Sequence, residues 1–135
     1  MILHCNFEEL RALESASEMI LSGMGAPVGV AAPPESVGLV EQLLTRLGGD
    51  MSIETLDEQR RVQQAVTYIC SDLHRRLDDK IIETTNPANE EAVALYFDYG
   101  HSRTVLHRLS EMGAEMEAIV ELIGGGNAAG VTFPD

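Results

Sequence analysis

"PANEEAVALYFDYGHSRTVLHRLSEMGAEMEAIVELI", residues Pro87 to Ile123, decides the fold. Leu95, Tyr99, Ser102, Leu106, Leu109, Gly113, Met116, Val120 and Ile123 recur at alternating spacings of four and three, with Val105, Met112 and Ile119 as a second row. That period keeps one apolar stripe on one side of an α-helix. Asn86 is placed to cap it, and Pro87 suits the first helical position because its missing N–H would be unpaired there. Glu90 and Glu91 sit near the positive end of the helix dipole. The spacing therefore predicts one helix over 87–123, about 55 Å long at 1.5 Å per residue, against a diameter of about 37 Å for a globule of this size. Either it bends at Gly100, or a second copy of the chain covers the overhanging stripe.

Working back from this helix, a second one precedes it. Thr55 with Glu58 reads as a capping box, and Val62, Val66, Ile69, Leu73, Leu77, Ile81 and Ile82 continue a stripe to about Glu83. The short connection predicts an antiparallel hairpin of helices 55–83 and 87–123, and two such hairpins would make a four-helix bundle in a homodimer. With the turn centred near Thr85, facing positions sum to about 170, which sets Lys80 opposite Glu90 and Arg60 opposite Glu111.

The first 54 residues alternate short apolar runs with helical periods. "MILHC", "PVGVAA" and "MSIE" read as strands. Asn6 caps a helix with Phe7, Leu10, Leu13, Ala16 and Ile20 on one face, and Pro33–Pro34 open another with Val37, Val40, Leu43, Leu44 and Leu47. This predicts a β-α-β-α-β unit with parallel neighbours. The fold class is thus α+β and predominantly helical, an N-terminal unit (1–54) before a long hairpin (55–123), with an all-α chain as the alternative. "GGGNAAGVTFPD", 124–135, predicts a Gly-rich flexible tail.

The 135 residues carry 22 acidic and 9 basic side chains, a formal charge of -13. Such a chain repels phosphate backbones and anionic lipid, so nucleic acid and membranes are excluded as expected partners. No secretory leader or span-length apolar run is read, and the two cysteines lie far apart, which predicts a cytoplasmic protein with free thiols. Phosphate-binding loop, nucleophile-elbow and dinucleotide motifs are absent, and the expectation leans away from an enzyme.

Two candidate sites emerge. Cys70 and His74 stand four apart on the first hairpin helix, and the hairpin register brings His101 near them, a set able to hold zinc or iron; the reading preferred over it is a cofactor-free helix flank. "AVALYFDYGH" gathers Tyr96, Phe97 and Tyr99 with a single charge, the best candidate anchor for a protein interface. Glu115, Glu117 and Glu121 form an acidic patch near a helix C-terminus, where a basic protein partner would dock. The leading expectation is a non-enzymatic, homodimeric interaction or scaffold protein with an acidic helical surface; the competing one is a metal- or small-ligand-binding bundle using Cys70, His74 and His101.

Overall fold

The computed structural model describes residues 1–23, 32–83, 90–124 and 130–135. They form β1 (Ile2–His4), α1 (Phe7–Ser22), α2 (Pro34–Arg46), β2 (Asp50–Ser52), α3 (Leu56–Glu83) and α4 (Glu90–Leu122). Four helices and one small sheet make the chain α+β and predominantly helical. No described helix is long and apolar enough to cross a membrane.

β1 and β2 pair antiparallel, with Leu3 opposite Met51 and His4 opposite Asp50. The expected parallel arrangement is corrected here. One helix between two strands reverses the chain twice and returns it parallel, whereas α1 and α2, packed on each other between β1 and β2, add a further reversal. The middle strand expected at "PVGVAA" lies almost wholly outside the described residues.

α1 starts as its sequence demands. The Asn6 side chain accepts from the Glu9 N–H at 2.8 Å, and Glu9 Oε1 accepts from the Asn6 N–H at 2.8 Å, a complete capping box. Ala12, Leu13, Ala16 and Ile20 are buried, but Phe7 is 73% exposed, so the helix face turned to the core begins one turn later than expected. Gly23 ends the helix at φ +71°, where glycine alone lacks the Cβ penalty. At the start of α3, Thr55 accepts from the Glu58 N–H at 3.1 Å, while Glu58 reaches back to the Glu54 N–H at 3.3 Å, one residue beyond the expected partner.

α3 and α4 form the predicted antiparallel hairpin. Its register is fixed at Gln59, whose buried amide donates to the Leu109 carbonyl at 2.7 Å and to Gln63 Oε1 at 2.7 Å. Lys80 meets Glu91 at 2.8 Å and Arg60 meets Glu117 at 3.4 Å, in place of Glu90 and Glu111. The first differs by one residue and the second by six, since long side chains on an exposed helix surface reach across more than a turn.

The N-terminal unit packs on the hairpin, α1 against α4 and α3, and α2 against α3. Ser102, Leu109, Gly113, Met116 and Val120 of the stripe are buried, and Val105 of the second row is buried where the stripe has Leu106, which is half-buried. A single chain therefore covers the stripe from Ser102 to Val120, and this stretch does not need the second copy that its length suggested. α4 runs as one helix through Gly100. One charged link between the two units is Arg108, whose Nη1 donates to Glu9 Oε1 at 2.6 Å and to the His4 carbonyl at 2.9 Å. Glu9 is thereby paired although its side chain is only 3% exposed.

Residues 130–135 return to the sheet instead of trailing free. The Phe133 N–H donates to the Glu54 carbonyl at 2.6 Å, and its side chain is buried against the core. The Met1 amino group donates to the carbonyls of Ile53 at 2.9 Å and Phe133 at 3.4 Å, and Ser52 Oγ donates to Asp135 at 2.6 Å. The buried Phe133 ring adds about 2 kcal/mol to these hydrogen bonds in holding the segment.

Candidate functional site

Helix geometry sets His101 apart from Cys70 and His74, which line one depression of the α3/α4 seam. Cys70 is buried in the core, and burial pushes its thiol up to about 11, only partly offset by the Arg103 guanidinium. His74 points along the surface of α3, with Nδ1 3.3 Å from Asp78. His101 leaves α4 on the side of α1, where Nε2 stands 3.5 Å from Glu8. Two residues along a helix turn the side chain by about 200°, so if Tyr99 faces α3, His101 cannot. Among the described residues no group of three or more His, Cys, Asp or Glu is placed to hold a metal ion. A thiolate is the reactive form, so Cys70 in the folded chain is expected to be alkylated by iodoacetamide at neutral pH at least ~100-fold more slowly than in urea-unfolded chain. Equal rates by mass spectrometry would refute the burial of the thiol.

The aromatic cluster divides between two faces of α4. Tyr99 is half-buried in the α3/α4 seam, with its ring 5.6 Å from the His74 ring and the Arg103 guanidinium 5.6 Å from its centroid. Tyr96 and Phe97 point to solvent, 64% and 59% exposed, and pack edge to face at 6.2 Å. Val93, one turn earlier, is 45% exposed. From Glu90 to His101 only Leu95 is buried, and above Gly100 a Cβ would meet no atom within 4 Å. Beside this face, burial raises the Asp98 carboxyl, opposed by His101 and Arg11. The result is a bare apolar turn at the hairpin's closed end.

The acidic patch is exposed. Glu117 is engaged by Arg60, and Glu111 by His107 at 3.1 Å, while Glu115 and Glu121 make no ion pair among the described residues. The sequence reading missed Val93 and Arg103. Val93 lies off the buried stripe by one residue, a signal visible in the period. Arg103 became notable only through its neighbours: Arg46, Arg60, Arg61, Arg75, Arg76, Lys80 and Arg108 each meet a carboxylate, whereas Arg11 and Arg103 make no ion pair among the described residues and Arg103 lies over a ring.

On its fold the chain is an α+β protein built around a long helical hairpin. No protein family, no curated protein and no solved structure matches it.

Proposed function

We propose that the chain is a non-enzymatic interaction module that self-associates through the first turns of α4. What carries this reading is the exposure of Val93, Tyr96 and Phe97 together, three large apolar side chains on a helix end with a single buried residue. Contiguous bare apolar groups on an otherwise charged surface are the usual signature of a contact site. A second copy fits best, because the open space above Gly100 lets two α4 helices cross closely about a two-fold axis. In an antiparallel crossing there, Tyr96 of one copy meets the turn containing Thr104 of the other.

The sign of the salt response tests it. Two copies at -13 each repel one another, and salt screens that repulsion within about 10 Å at 0.1 M. Light scattering is expected to give a dimer whose fraction rises with added salt, and Tyr96→Glu with Phe97→Glu is expected to give a monomer of unchanged helicity. A wild-type monomer at every salt concentration would retire the proposal. A second reading, a basic protein docked on Glu115 and Glu121, is favoured by their exposed and unpaired carboxylates. That complex would weaken with salt, so one titration separates the two.

A further inference from the structure

The seam between α3 and α4, on the side that α1 and α2 leave uncovered, carries a trough of two adjoining depressions. One stretch, ≈ 640 Å³, is lined by Gln59, Gln63, Gln64, Ser110 and Gly113 among others; the next, ≈ 410 Å³, by Cys70, His74, Tyr99, Arg103 and Leu106. Thr67 and Ser71 belong to both. From Gln59 to His74 the trough is about 22 Å long, the span of an extended segment of about seven residues. Its lining mixes apolar side chains such as Tyr68 and Leu106 with amides and hydroxyls. Gln63 donates to Ser110 Oγ at 3.3 Å, and the side chains of Gln64 and Ser71 have no hydrogen-bond partner among the described residues. Amides and hydroxyls of this kind match the N–H and C=O groups of an extended backbone.

At one end stands Arg103. It makes no ion pair among the described residues, in a chain where carboxylates outnumber bases by more than two to one, and it lies over the face of Tyr99, whose other neighbour is the His74 ring. Stacking on a ring restricts a guanidinium without using up its donors, so they stay available to a planar oxyanion. We infer that the trough binds an extended peptide segment of a partner protein, with an acidic side chain or terminal carboxylate of that segment held by Arg103 and its backbone lying along the amides and hydroxyls of Gln63, Gln64 and Ser71. This goes beyond self-association, and it uses the seam, not the bare turn at Val93, Tyr96 and Phe97.

Selection from a phage-displayed library of random octapeptides tests it. Against the wild-type chain, Asp or Glu is expected to be enriched about tenfold at one peptide position, the weight of one charge-assisted hydrogen bond. Against Arg103→Glu, the same position is expected to switch to Lys or Arg, and against Arg103→Gln to lose its preference. Arg103 is exposed, so both variants are expected to keep the wild-type circular dichroism. Three outcomes overturn the inference: no enrichment on the wild type, enrichment independent of residue 103, or displacement of the selected peptides by low-millimolar orthophosphate, which would mark a site for free oxyanions. A monomeric wild type that still selects acidic peptides would defeat self-association and leave this inference standing.

Discussion

Arg108→Met is expected to lower the stability of the chain by about 2 kcal/mol at neutral pH, because it removes the partner of a buried carboxylate, discounted for the solvent that reaches Arg108 itself. The stranded group is Glu9. In the wild type, burial pushes its carboxyl up, but the hydrogen bond and charge of Arg108, the Asn6 N–H and His101 together pull it below the ordinary carboxylate value of 4.5. A carboxyl lowered in the folded state adds stability above its unfolded value, and that stability is lost as pH falls through the folded one. In Arg108→Met the burial is no longer offset by the guanidinium, so the variant is penalised at neutral pH and relieved as Glu9 takes up a proton. Both changes act in one direction: the difference between the two proteins shrinks toward about pH 4. Urea unfolding at the two pH values measures it. A difference that does not change with pH would mean that Glu9 carries no buried charge.

The second expectation concerns Gly113, where the hairpin helices lie too close for a side chain. A Cβ there would stand 2.6 Å from Gln59 Nε2, 2.9 Å from its Cδ and 3.0 Å from its Oε1. Gln59 is the end of a flexible side chain, but it is buried and bonded to the Leu109 carbonyl, so moving it abandons a buried hydrogen bond at a cost of about 1–3 kcal/mol. The clash adds to that, and the better helix propensity of alanine returns about 1 kcal/mol. Gly113→Ala is therefore expected to destabilise by about 2 kcal/mol. The informative measurement is the double-mutant cycle. In a Gln59→Ala background the same change meets no amide and is expected to stabilise, reversing its sign. The same cost in both backgrounds would rule out Gln59 as the reason for the glycine.

These two contacts also mark how far the sequence could be read. The stripe from Ser102 to Val120 was legible because a period of four and three held over many turns leaves one helix face and no other. The hairpin register followed from the shortness of its connection. Arg108 and Glu9 were not legible as partners, since they lie 99 positions apart and neither breaks a local pattern. The direction of β2 was misread because a count of short apolar runs does not reveal how many reversals separate two strands. His101 was placed at the right level of the hairpin but on the wrong side of α4: level depends on register, whereas side depends on an angle that changes by about 100° per residue. For Phe133, a return of "VTF" to the N-terminal unit as an edge strand ranked below a flexible tail, because a stretch rich in glycine offers one ring to anchor it. Tyr96 and Phe97 were identified as candidates, and only packing separated them from Tyr99.

The bond from Phe133 to Glu54, with the Met1 amino group set between Ile53 and Phe133, has a consequence for how the chain comes to rest. It joins groups up to 132 positions apart, and the loop-closure entropy of such a contact is tolerable only once the intervening helices have already drawn its ends together. The helical hairpin can assemble from near neighbours in the sequence; this edge cannot. Its amides are the natural place to look for the latest acquisition of protection during folding, and for exchange with solvent through openings smaller than the whole molecule.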